Sequence, residues 1–195
     1  MKLIRRVAML LPVLGILSLT PSTGAASAPS PDASTIQPAD ALGSLFLTPS
    51  DPSIDLATRN VLFLVGEDGD VLADVPVKIV FQYDNVCVCS DAVLEGRTNA
   101  DGKFEFITAG GGHSGRRDAA LVVADGVVLR EFAVKSPDNN GASGDCIVNL
   151  PDLVALSACL GMDCIEAWDF DNDGAFGIGD IVLYGRSFSA QQSCH

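Results

Sequence analysis

Asp169-Phe170-Asp171-Asn172-Asp173-Gly174-Ala175-Phe176-Gly177-Ile178-Gly179-Asp180 sets oxygen donors at the spacing of a twelve-residue calcium loop. Carboxylates stand at loop positions 1, 3, 5 and 12 (Asp169, Asp171, Asp173 and Asp180). Gly174 meets the sharp turn at position 6, and Ala175 offers its backbone carbonyl at position 7. An all-oxygen set suits a hard cation, so Ca2+ is the expected cofactor. A solvated acidic turn would account for the Asp-Asn-Asp-Gly run alone. It leaves unexplained the apolar Phe176, Ile178 and Ile181, which fall where such a loop packs ahead of its exiting helix.

The loop has a partner. A shift of 28 residues lays Asp145 on Asp173, Val148 on Phe176, Asp152 on Asp180, Leu153 on Ile181, Leu156 on Tyr184 and Leu160 on Phe188. After the closing Asp of each copy the apolar residues follow i, i+3, i+7, which places them on one helical face. A single loop and helix cannot bury that face alone, so the two copies are expected to cover each other. Counting back from Asp152 puts Gly141, Ser143, Asp145, Ile147 and Asn149 at positions 1, 3, 5, 7 and 9, with Cys146 in the glycine position. Position 1 of this copy then lacks a carboxylate, and its site is expected to be weak, irregular or empty.

Residues 136–188 resemble the dockerin type I module, a duplicated calcium loop-helix unit of extracellular proteins, often those acting on polysaccharides. The resemblance extends to the Asp, rather than Glu, that closes each loop. Ser136-Pro137-Asp138-Asn139-Asn140-Gly141 looks like the start of a dockerin loop displaced by three inserted residues, which offers Asp138 or Asn140 as a ligand in the first copy. Dockerins of cellulose-degrading complexes bind cohesin domains partly through loop positions 10 and 11, often hydroxylated. Here those positions hold Leu150 and Pro151, then Ile178 and Gly179. None offers a side-chain hydrogen bond, so the resemblance implies an apolar docking surface. Its partner would be a cohesin-like domain or the β domain of the same chain.

The chain opens with Lys2, Arg5 and Arg6, an apolar run over residues 7–19 and a small-residue Ala26-Ser27-Ala28 site, the pattern of a secretion signal. Residues 1–28 are therefore read as a signal peptide, and no later stretch is long and apolar enough to span a bilayer. A retained anchor is the competing reading. The expected location is secreted, extracellular or at the cell surface, with no membrane contact after cleavage. Net charge is −13 over the full chain. From Ser136 onward nine acids face a single Arg186, a field that repels phosphate backbones and attracts divalent cations. Nucleic acid is excluded as a partner on that ground.

Residues 29–53, rich in Pro, Ser, Ala and Asp, read as a tether with a short turn at 42–47. Short β-branched or aromatic runs then follow at 60–65, 75–83, 86–89, 103–107, 119–124 and 127–134, separated by turn chemistry such as Asp125-Gly126. Residues 54–135 are thus expected to form an antiparallel β-sandwich. The phrases at 69–79 and 98–106 resemble bacterial immunoglobulin-like domains. Residues 136–195 form the calcium unit, so the fold class is an all-β sandwich plus a small all-α, EF-hand-type module. Six cysteines in an exported chain read as disulfides, with fifteen possible pairings. Bridges inside the C-terminal unit are favoured over a redox or metal role for Cys87-Val88-Cys89. His113, in a glycine-rich stretch at 110–115, reads as part of a flexible loop, and no catalytic residue is assigned. The expected function is a non-catalytic docking or assembly protein. The alternatives are a small carbohydrate-binding or carbohydrate-active protein, and a structural or adhesive protein with the calcium unit clamped on its own β domain.

Overall fold

The computed structural model of the protein describes residues 27–49, 58–140, 143–159, 165–189 and 194. Most of the proposed signal, and Gly141, Leu160 and Cys164, lie outside the described residues. The fold is rich in β-structure. One sheet orders its strands β1-β3-β7, where β1 is Thr35–Gln37, β3 Arg59–Phe63 and β7 Lys103–Ile107. A second runs β2-β10-β9-β4-β6, from β2 (Ser44–Phe46) through β10 (Val127–Lys135), β9 (Ala120–Ala124) and β4 (Pro76–Phe81) to β6 (Glu95–Arg97).

Alternation drives this arrangement. Along β7 and β9 every second residue is buried, and Leu62, Phe104 and Phe106 of one sheet share a core with Ile79, Val122 and Val134 of the other. The Asp125-Gly126 turn joins β9 to β10 as its composition predicts, with both residues at positive φ (46° and 81°), which suits the right-handed twist of the flanking strands.

Residues 29–49 of the segment read as a tether are instead built into these two sheets. Ile36 of β1 pairs with Leu62. A short helix α1 (Ala39–Leu42) then turns the chain into β2, which lies parallel to the end of β10. Ile36, Leu45 and Leu47 are fully buried. Their apolar side chains were outnumbered by Pro, Ser and Asp in the composition, yet three well-placed apolar residues are enough to fix a short edge strand. The glycine-rich stretch departs from expectation too. Gly110–Gly111 forms strand β8, buried and paired with β5 (Cys87–Val88).

The C-terminal unit carries α2 (Leu150–Cys159), α3 (Ile165–Trp168) and α4 (Ile178–Ser189). Its core is Val148, Leu156, Trp168, Phe170 and Tyr184, with Leu153, Phe176 and Phe188 packed against it. Phe46 of β2 completes this core, edge-on to Phe170 at 5.4 Å between ring centroids. The β domain and the helical unit therefore share side chains. They also share covalent bonds. Cys87 pairs with Cys146 (Cα–Cα 5.9 Å) and Cys89 with Cys194 (5.1 Å), so the expectation of bridges confined to the C-terminal unit is corrected for these four cysteines. Cys159 is disulfide-bonded as well, and none of the described cysteines is free. Small size favoured internal staples, but the glycines of β8 bring the sheet end close enough to the helical unit for bonds across the junction.

Phe46→Ala should cost about 3–5 kcal/mol, because it empties a packed aromatic site at the junction. Urea unfolding followed by the fluorescence of Trp168, the single tryptophan, measures this. A loss under about 1 kcal/mol would mean that the junction contributes little.

Candidate metal centre in the duplicated loops

The two loops use one hydrogen-bond scheme. In the second, the closing Asp180 accepts the Phe170 N–H on Oδ1 (2.6 Å) and the Gly177 N–H on Oδ2 (2.7 Å). In the first, Asp152 accepts the Asn139 and Asn149 N–H groups, each at 2.8 Å. The opening carboxylates match likewise. Asp169 accepts from Asp173 and Gly174 (3.0 and 3.1 Å), and Asp138 from Asp145 and Cys146 (3.2 and 2.7 Å). Asp173 Oδ1 takes the Ala175 N–H as Asp145 Oδ1 takes that of Ile147. Cys146 adopts φ 64° where Gly174 adopts 87°, so a cysteine holds the left-handed corner normally given to glycine.

This matching settles the first loop's register. Asp138 stands where Asp169 stands, and the first loop runs fifteen residues from Asp138 to Asp152 against twelve from Asp169 to Asp180. The count-back that put Gly141 and Ser143 at positions 1 and 3 is thereby replaced. Ser143 is exposed, and the three extra residues lie between Asp138 and Asp145.

What the loops offer a cation differs. Asp169, Asp171 and Asp173 each place a carboxylate oxygen within 4.8 Å of the other two. Asp180 and the Ala175 carbonyl, the other expected donors, are oxygen groups of the same hard kind suited to Ca2+, though Asp180 stands outside this trio. Asp180 has acceptor capacity left after its backbone bonds, since a carboxylate offers about four lone-pair sites. Asp171 has its pKa raised, first by desolvation and then by the charges of Asp180, Asp173 and Asp169. That crowding of like charge is what a bound cation would relieve. A Cβ on Gly179 would run into the Asp171 carboxylate, so this glycine makes room for a candidate ligand.

Among the described residues the first loop has no such trio of carboxylates. Asp138 is fully buried, with Cys87 Sγ at 3.7 Å from its Oδ2, and a Cβ on Gly111 would fall on the same oxygen. Burial raises its pKa to about 6, and burial also raises that of Asp152. One acceptor oxygen in this loop nevertheless lacks a partner. Asn149 Oδ1 is buried without a hydrogen bond, while Asn149 Nδ2 lies 3.4 Å from the Ile147 carbonyl.

The residues expected to meet a partner are on the surface. Ile178 is 81% exposed and Leu150 63%, and Pro151 and Gly179 are exposed beside them. Val154 and Val182, one helical turn on, are exposed too. Of the residues expected to pack behind the loop, Phe176 joins the core, whereas Ile178 and Ile181 are exposed. The closing Asp180 must face the loop amides, and that phase buries Tyr184 and Ser187 instead. Sequence reasoning missed Lys135, the last residue of β10. Its buried ammonium donates to the Asp169 carbonyl and to Asn172 Oδ1 (3.0 Å), and lies 3.9 Å from Asp169 Oδ2. A basic residue at the end of a strand, just before an acidic unit, was the available signal. His113 packs structurally, its Nδ1 2.9 Å from the Val134 carbonyl.

No family model, characterised protein or solved structure matches this chain.

The folded-state pKa of Asp138 lies near 6 against 3.8 for the free group, so its contribution to stability is present below about pH 4 and lost as pH rises through 6. Asp152 and Asp171 shift the same way. Chelated protein should therefore melt higher at about pH 4.5 than at about pH 7.5, and Asp138→Asn should remove much of the difference. Thermal scans in EDTA decide it. A melting temperature that falls steadily on acidification would contradict the assignment.

Proposed function

We propose that this chain is a secreted, non-catalytic docking protein. In this reading an immunoglobulin-like β domain carries a dockerin-like unit that holds Ca2+ in the loop 169–180. The observation that carries the reading is the gathering of the Asp169, Asp171 and Asp173 carboxylates in a loop whose hydrogen-bond scheme recurs in a second copy. Asp169, Asp171, Asp173, Asp180 and the Ala175 carbonyl would hold the ion, which supplies positive charge and fixes the loop against its helix. In the first loop Asp138, Asp145, the Ile147 carbonyl, Asn149 and Asp152 are the corresponding groups. There the Cys87–Cys146 bridge fixes the corner that a second ion would otherwise organise.

The chain's own residues then present the surface. Leu150 and Val154 on α2, and Ile178 and Val182 on α4, are exposed apolar pairs at i, i+4 on the faces opposite the closing aspartates. A cohesin-like partner with an apolar contact surface fits them better than one that reads hydroxyl groups. None of the described aromatic side chains is exposed, which leaves sugar binding without its usual stacking platform.

The intramolecular clamp is supported by its own observations. Two disulfides, Phe46 and Lys135 join the helical unit to the β domain. The two readings use different surfaces. The clamp takes the loop side of the unit, and docking takes the outer helix faces.

Asp171→Asn with Asp173→Asn should weaken calcium binding at least about 100-fold by calorimetry, since both carboxylates leave the ligand set. Calcium binding that survives unchanged would sink the loop assignment. Replacing Leu150 and Ile178 together by Asp should abolish capture of a chelator-sensitive secreted partner while leaving calcium affinity nearly intact. Capture that persists in this variant would rule out the outer face and leave the clamp.

A further inference from the structure

Lys135 puts a fixed positive charge against a loop equipped to hold a different cation. Its side chain is almost fully buried, and it belongs to the β domain, as the last residue of β10. In register it sits beside Phe46, so two adjacent strand ends reach together into the helical unit. The polar contacts of its ammonium are with the loop: the Asp169 carbonyl, the Asn172 side chain at 3.0 Å and the Asp169 carboxylate at 3.9 Å. Asn172 sits at φ 57°, a left-handed corner that asparagine tolerates, and the ammonium holds its side chain there between Asp171 and Asp173.

We propose that Lys135 is a built-in competitor for the cation of loop 169–180, a positioning residue that preforms the metal-free loop and lowers its affinity for Ca2+. The inference rests on the calcium reading of that loop. A buried ammonium is costly unless it is paired, and here the pairing is with a group the ion would also claim. A unit charge this close to the site repels a divalent ion in a partly buried setting where screening is weak. The same ammonium holds Asp169 and Asn172 in place without metal, which limits the loop's collapse when the site is empty. A cleft of about 450 Å3 lined by Lys135, Asp169, Asn172, Gly174, His113 and Arg117 opens this junction to solvent. By linkage, a change in the seating of the helical unit on the β domain alters calcium affinity, and calcium loosens the hold of Lys135 in return.

Calorimetric calcium titrations of the full chain as wild type, Lys135→Met and Lys135→Arg test this. Removing the charge with Met should tighten binding at least about fivefold, whereas Arg should stay within about twofold of wild type. A merely structural lysine predicts the opposite sign, weaker binding in the Met variant. Equal or weaker binding by folded Lys135→Met overturns the proposal while leaving the calcium assignment standing. Should that variant fail to fold, the side-chain ammonium signal of Lys135 in 15N-labelled wild type serves instead. It should shift and exchange faster with water at saturating calcium, and an unmoved signal overturns the proposal. Wild type that binds no calcium overturns the calcium reading, and this inference with it.

Discussion

The inward-facing carboxylates of Asp152 and Asp180 govern the C-terminal unit. Each is almost completely buried, and a buried carboxylate must be satisfied by donors. The donors are backbone amides from both ends of its loop, so one side chain closes the loop and starts the helix. The Asn149 and Gly177 amides lie at helix N-termini, and the acceptor sits three residues into the helix, which is half of a capping box. Helix phase follows. With Asp180 inward, Tyr184 and Ser187 fall on the buried face, while Ile178 and Val182 are turned about 160° away from it. In α2 the same geometry buries Leu156 and exposes Leu150 and Val154. The exposed apolar surface is a geometric consequence of how the loops close.

The two loops share this frame and differ in what stabilises the corner. In the second, three carboxylates converge with Lys135 as their neighbour. In the first, Cys146 occupies the left-handed corner and is tied to Cys87 in β5, while Gly111 of β8 admits the Asp138 carboxylate. Covalent closure suits a loop with three extra residues, since a cross-link does not depend on ligand spacing. The same bridge draws Asp138 into a buried site, which raises its pKa and makes the ionised form costly without a cation.

Much of this was legible from residue patterns. The twelve-residue run, the 28-residue offset and the Asp125-Gly126 hairpin each rest on strict local spacing, and local spacing survives into structure. The displaced start of the first loop was visible in Asp138, but simple counting from Asp152 passed over it because an insertion breaks register. Residues 29–49 were misread because composition averages over a segment, whereas Ile36 and Leu45 act singly by landing in a core made by distant strands. Disulfide pairing and the reach of Lys135 could not be read from local pattern. Both depend on which strand end meets the helical unit, a tertiary fact that the position of Lys135 before an acidic unit hints at without fixing.

The junction also constrains how the protein can work. Two cross-links with sequence separations of 59 and 105 residues remove most of the freedom with which a docking unit on a flexible tether samples partners. A unit tied down in this way holds its outer helices against the β domain, and a partner of the kind proposed would lose less orientational entropy on binding it. Calcium occupancy would then bear little on whether the unit is attached, since the bridges ensure that. It would bear on the loop 169–180, and through it on the phase of α4 and the exposure of Ile178 and Val182. The β domain, through Lys135, touches that same loop at Asp169 and Asn172, so the scaffold bears on the loop that leads into α4.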